Sequence, residues 1–168
     1  FWHLAKALFK KNPVGVASTV VFAVLTSLPF FEGQVANSEL FMLAPIICAF
    51  LLGLRKNHTI RNGFFAGILF ACATLFKVPS AFDAAALVVL WILLMKISRT
   101  GIKTLVMRTL AFCVGFAVPI AITFVWYALK GSFHEYLVAA FLQNFGYVSS
   151  WREGMAAQTP FLVKNGPL

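Results

Sequence analysis

The stretch Gly63-Phe64-Phe65-Ala66-Gly67-Ile68-Leu69-Phe70-Ala71-Cys72-Ala73-Thr74-Leu75-Phe76-Lys77-Val78-Pro79-Ser80-Ala81-Phe82-Asp83, apolar again from Ala84 to Met95, decides the reading of this chain. As one helix, residues 63–95 would run roughly 50 Å, too long to cross a hydrocarbon core of about 30 Å simply. Lys77, Pro79, Ser80 and Asp83 interrupt it in the middle, and proline disfavours helix at its own position and just before it. The stretch therefore predicts a helical hairpin whose tip is Lys77–Asp83, with basic flanks at Arg61 and Lys96. Each arm, 63–76 and 84–95, is only about 20 Å long, so the tip is expected below the membrane surface.

Four further observations support a membrane setting. Of the 168 residues, 61% are hydrophobic and 11% charged, and the mean hydropathy is +0.88. Soluble domains are about 45–50% apolar and about 25% charged. These numbers exclude a disordered chain, which needs high charge and low hydrophobicity. Three cysteines (Cys48, Cys72, Cys113), each inside an apolar run, exclude a secreted disulfide scaffold. The expected fold is all-α: a polytopic transmembrane helical bundle. Its five spans fall at 14–31, 40–54, 63–76, 84–95 and 104–129, because backbone groups in hydrocarbon must be bonded internally. Pro45 and Pro119 sit inside spans and are expected to kink them. The chain starts at Phe1, has no recognisable cleavable signal peptide, and is expected to be a partial transmembrane domain, 1–168, of a longer protein.

Charge sets the orientation. With the N-terminus in the cytoplasm, pieces 1–13, 55–62 and 96–108 hold 10 of the 14 basic residues. The positive-inside rule favours this arrangement. The net charge of +9 is thus explained without nucleic acid as a partner. All five acids, Glu32, Glu39, Asp83, Glu135 and Glu153, then collect on the extracytoplasmic face of a plasma (inner) membrane protein.

After the fifth span, Ser132 and Glu135 form a capping box that predicts a helix start near Phe133. Phe133, Leu137, Phe141 and Phe145 recur every four residues among His134, Glu135, Gln143 and Asn144. This predicts an amphipathic interfacial helix over 132–147, followed by an extracytoplasmic loop.

Three constellations can carry chemistry. The first is Pro29–Glu39, which holds Glu32, Asn37, Ser38 and Glu39. Asn37 or Ser38 can cap the next helix, with Glu39 complementing its dipole. Alternatively, Glu32 or Glu39 faces an outer cavity and binds a polar substrate or metal. The second is Lys77 with Asp83. It reads either as an ion pair or snorkelling lysine, or as a contact to a lipid phosphate, which suits a compact charge with three donors. The third is His134, Glu135, Tyr136, Asn144, Tyr147, Trp151, Arg152 and Glu153. Its rings and polar groups would suit sugar recognition or an interfacial aromatic belt.

Other features are simpler. Gly63-x-x-x-Gly67 permits close helix contact. The sequon Asn57-His58-Thr59 falls on the cytoplasmic side. His3, His58 and His134 lie too far apart for a metal site, and no P-loop, dinucleotide fingerprint or nucleophile elbow occurs.

The run Glu32-Gly33 … Ala36-Asn37-Ser38-Glu39-Leu40-Phe41-Met42 resembles the outer loop of bacterial GT-C glycosyltransferases, relatives of protein O-mannosyltransferases and lipopolysaccharide-core transferases. Gly63 … Ala71 and Leu75-Phe76-Lys77-Val78-Pro79 are similar to that family's hairpin, with Phe76 where the family has threonine. Glu135-Tyr136 … Phe141 … Asn144 … Tyr147 is similar to a pattern after a later span. The resemblance covers about residues 29–150. It implies transfer of a sugar from a polyprenyl-phosphate-linked donor to a glycan, lipid or protein acceptor on the extracytoplasmic face. It also implies a catalytic aspartate upstream of these residues, so no catalytic residue is assigned in this chain. Glu32, Asn37, Glu39 and Lys77 would be substrate-binding, Lys77 towards the phosphate. A divalent metal is compatible with such a site, and no other cofactor is implied. The alternatives are a transporter or flippase segment for a lipid-linked saccharide, without catalytic chemistry, and a purely structural anchor.

Overall fold

The computed structural model describes residues 1–9, 11–28, 37–55, 59–94 and 99–142, and among them it is all-helical with no strand. The chain divides into two units, Phe1–Ser132 and Phe133–Leu168. In the first, helices occupy each of the five apolar segments: α2 (Asn12–Ser27), α3 (Ser38–Gly53), α4 (Ile60–Phe76), α5 (Ala81–Leu94) and α6 (Arg99–Leu129). A short helix, α1 (Trp2–Leu8), precedes them.

Local chemistry sets the ends. Asn37 is extended and its side chain accepts the Leu40 N–H at 3.1 Å, so Asn37 caps α3. Thr59 caps α4 by accepting the Asn62 N–H at 3.3 Å. The helix α2 stops at Ser27 rather than at 31, because Leu28 precedes Pro29 and takes the extended conformation that proline imposes on its neighbour. The predicted hairpin break is present: α4 ends at Phe76, Lys77 is extended, and a single 3-10 turn, Val78–Ser80, leads into α5. Asp83 belongs to the first turn of α5 rather than to the tip.

These early stops decide the lengths. The helices α2 and α3 have 16 residues and α4 has 17, or about 24–26 Å at 1.5 Å per residue. Among the described residues one helix, Gly101–Leu129, is long and apolar enough to cross a membrane by length and composition. The other apolar helices run 10–17 residues.

The quoted stretch supplies the central helix. Along α4, Gly63, Ala66, Gly67, Phe70, Ala71, Ala73 and Thr74 are buried, whereas α2 buries Gly15 alone. Phe70 and Leu87 are fully buried in a cluster with Ala49, Ala66, Ala84, Trp91 and Phe112. Phe70 meets Phe50 edge-on at 5.4 Å between centroids and Phe112 at 5.9 Å, so one ring joins α3, α4 and α6. The helix α4 packs most extensively on α6, where backbones touch. A Cβ on Gly63 would lie 2.7 Å from the Arg108 carbonyl oxygen, and one on Gly67 would overlap the Phe112 carbonyl. Gly115 answers from α6, its Cβ position overlapping the Phe64 carbonyl. The Gly63-x-x-x-Gly67 spacing thus has a third small partner that the sequence did not pair with it.

These contacts give the helix directions. Residues 63 and 67 face 108 and 112–116 in rising order, so α4 and α6 run parallel. Glu39 meets Lys77, and Phe50 meets Phe70, so α3 and α4 run antiparallel. The end of α3 meets Leu87 and Trp91 of α5. One end of the unit therefore carries Glu39, Lys77 and Asp83, and the other Arg55, Arg61 and Lys103.

The N-terminal residues, a basic flank in the sequence, fold back on α2: the Phe1 ring stacks on Phe22 at 4.2 Å, and Trp2 covers Gly15. In the second unit, α7 (Phe133–Leu137) begins at the predicted residue and passes into a π-helical turn, Val138–Leu142. Residues 143–147 of the predicted interfacial helix lie outside the described residues.

Candidate functional site

The site grows from the α4–α5 break. The Lys77 N–H donates to the Ala73 carbonyl at 3.0 Å, the last bond of α4. The Lys77 carbonyl accepts the Ser80 N–H at 3.0 Å, which closes the 3-10 turn. Pinned on both sides, Lys77 sends its side chain across to α3, where its Nζ donates to Glu39 Oε1. The side chains are 39% and 45% exposed, so this ion pair stands in solvent-accessible space.

Of the alternatives the sequence leaves for Lys77, an ion pair with Asp83 six residues on is not the one formed: the partner is Glu39, 38 residues back. The reason is geometric, since α3 and α4 are antiparallel neighbours whose Phe41 and Phe76 rings stack at 6.0 Å just inside the pair. Ser38 Oγ donates to the other Glu39 oxygen, Oε2, at 3.3 Å. Glu39 lies just outside the second apolar segment. The hydrogen bond from Lys77, with help from its own backbone N–H, holds its carboxyl below the usual carboxylate range.

Three of the four predicted substrate-binding residues thus gather at one end. Asn37 caps α3, while Glu39 and Lys77 form the pair. Glu32 lies outside the described residues. Of the third constellation, Tyr136 meets Phe141 edge-on at 6.1 Å within the second unit. Asn144, Tyr147, Trp151, Arg152 and Glu153 lie outside the described residues. Among the described residues, no three of His, Cys, Asp and Glu are placed to hold a metal ion.

The opposite end holds a cluster that sequence reasoning missed. Arg108, counted as part of a basic flank, is 3% exposed inside α6. Its Nη2 donates to the Gly53 carbonyl at the end of α3, and its guanidinium lies 4.0 Å over the Trp91 ring. Trp91 Nε1 donates to the same carbonyl at 2.9 Å. A cation at a helix C-terminus complements the dipole, and a Trp face attracts guanidinium. The available signal was an arginine followed by 21 residues without a charge, from Thr109 to Leu129. Nothing in the linear order points from it to Gly53.

No protein-family model, no curated protein and no solved structure matches this chain.

Proposed function

We propose that the chain is part of a multi-pass membrane glycosyltransferase of the GT-C kind. It would move a sugar from a polyprenyl-phosphate-linked donor to an acceptor on the extracytoplasmic face. Two general features support the membrane setting. Large apolar side chains stand exposed along α2, α5 and α6, among them Val20, Leu93, Ile122 and Leu129. In water such a surface drives association; in lipid it is solvated. Helices of 16–17 residues then cross with local thinning of the bilayer or snorkelling of flanking lysines. The basic residues Arg55, Arg61 and Lys103 gather at one end and the acids Glu39 and Asp83 at the other, the pattern of a bundle with its positive end inside.

The observation that carries the enzymatic reading is the exposed Lys77–Glu39 pair at the acid-bearing end. An ammonium has three donors and the carboxylate takes one of them. An exposed pair is worth about 0–1 kcal/mol, so a phosphate oxygen can join or displace Glu39 at little cost. Lys77 would then stabilise charge developing on the departing lipid phosphate. A carboxylate base supplied by another part of the protein would activate the acceptor hydroxyl.

The test uses the full-length protein with a polyprenyl-phosphate-sugar donor. Loss of one charge-assisted hydrogen bond predicts that Lys77→Ala lowers transfer roughly 10- to 100-fold with membrane insertion unchanged. Near-normal turnover by a well-inserted variant removes Lys77 from the site.

A transporter or flippase without chemistry is the second reading. Arg108, an ionisable residue buried within the bundle, is the observation that favours it. Donor binding without sugar transfer by the full-length protein would select it.

A further inference from the structure

We infer that the buried hydroxyls of Thr74 and Ser80 form a positioning pair that sets the direction of Lys77; the role rests on the reading of Lys77 as a phosphate contact. Thr74 lies in the last turn of α4, and Ser80 closes the 3-10 turn before α5. Ser80 Oγ donates to Thr74 Oγ1 at 3.3 Å, and Thr74 Oγ1 donates to the Phe70 carbonyl at 2.8 Å. Ser80 is 1% exposed and Thr74 4%, whereas the Lys77 side chain is 39% exposed. Two hydroxyls thus point into the protein while the ammonium between them in sequence points out.

The chemistry of buried hydroxyls makes this a clamp. A buried polar group without a partner is costly, so Thr74, anchored on the Phe70 carbonyl, holds the Ser80 hydroxyl in place. Together they tie the end of α4 to the start of α5 across a seven-residue segment, 74–80, with Lys77 near its middle. Its backbone bonds to Ala73 and Ser80 fasten the same stretch of chain. With the root of Lys77 fixed, its remaining freedom is its own rotamers, and Glu39 restrains those. Without the clamp, the Ser80 N–H bond to the Lys77 carbonyl would carry the turn on its side, and the ammonium would sample more directions. Neither hydroxyl needs to meet substrate.

The experiment uses the full-length protein in membranes with two readouts: the acylation rate of the Lys77 amine, followed by mass spectrometry, and kcat and KM for a polyprenyl-phosphate-sugar donor. Ser80→Ala and Thr74→Val are expected to change the Lys77 acylation rate. They should lower kcat/KM for the donor about fivefold, the worth of one neutral hydrogen bond. Thr74→Ser keeps the hydroxyl and is expected to behave as the parent. If Thr74→Val does not insert, Ser80→Ala carries the comparison. An unchanged acylation rate in Ser80→Ala overturns the positioning role. So does a Thr74→Ser variant as impaired as Thr74→Val, which would assign the effect to lost packing volume. If acylation changes while neither kcat nor KM for the donor moves in these variants or in Lys77→Ala, the positioning role stands and the reading of Lys77 as a phosphate contact fails.

Discussion

The α4–α6 contact offers the sharpest test of the fold. At Gly67, an added methyl would overlap the Phe112 carbonyl oxygen, lie 2.7 Å from the Phe116 backbone nitrogen and 3.1 Å from the Gly115 carbonyl carbon. All three are backbone atoms, so no rotamer change relieves the overlap and the helices must separate. Separation loosens Phe112, 5% exposed, from Phe70, which is fully buried. Overpacking of this kind costs about 1–3 kcal/mol, against which alanine recovers up to about 1 kcal/mol of helix propensity at each position, and Gly67→Ala is placed at the upper end. At Gly63 the nearest atom is the Arg108 carbonyl at 2.7 Å, followed by the flexible Arg108 Cγ at 3.0 Å, so Gly63→Ala should cost about half as much. Gly15 is the control: its nearest neighbour, Trp2 Cζ3, is 3.6 Å away, an ordinary contact. There alanine should stabilise by up to about 1 kcal/mol through helix propensity. The assay is unfolding of the detergent-solubilised protein by SDS titration, read as the shift in midpoint for each variant. The predicted order of loss is Gly67, then Gly63, with Gly15 on the stabilising side. Equal, small effects at all three positions would refute the close parallel packing of α4 on α6.

Two further predictions concern the ends of the unit. Trp91→Phe and Arg108→Met each leave the Gly53 carbonyl one of its two donors, so each alone should be mild. Together they remove both donors, and their double-mutant cycle in the same unfolding assay should show about 1 kcal/mol of coupling; additivity within about 0.3 kcal/mol would deny the shared acceptor. At the other end, Lys77 holds the Glu39 carboxyl low through its hydrogen bond. A depressed folded value means that the pair's contribution is complete above the ordinary carboxylate range and is lost as pH falls through the lowered value. That contribution is under about 1 kcal/mol for so exposed a pair. Titration of Glu39 followed by infrared difference spectroscopy should move upward in Lys77→Met, and an identical midpoint in both proteins would contradict the pairing.

Local signals are legible in the sequence, and relations between helices are not. Asn37 before Ser38-Glu39, Pro79 beside Lys77, and glycines four apart each act within a turn or two of chain, so their consequences can be written down residue by residue. The helix start at Phe133 and the break at Lys77 follow from such signals. The partner of Lys77 does not, because it depends on how α3 is rotated and how far it slides along α4. Asp83 was nearer in sequence, but α5 begins at Ala81 and carries it into a different helix. Arg108 illustrates the same gap. Hydropathy alone assigns an arginine beside an apolar run to a wet flank, whereas α6 starts at Arg99 and carries Arg108 into the packed interior. The pairing of Gly115 with the Gly63–Gly67 spacing needed the parallel course of α4 and α6, which no short motif encodes.

The two fastenings of the α3–α6 unit differ in kind. Near the basic end, the Gly53 carbonyl is gripped by two donors sealed from solvent; near the acidic end, α3 and α4 are linked by a pair that water can reach. Water competes for the second and not for the first. Fluctuations that splay these helices should therefore pivot like tweezers about the Arg108–Trp91 knot, parting first beside Lys77, and amide exchange near residues 38–41 should outpace that near 50–53.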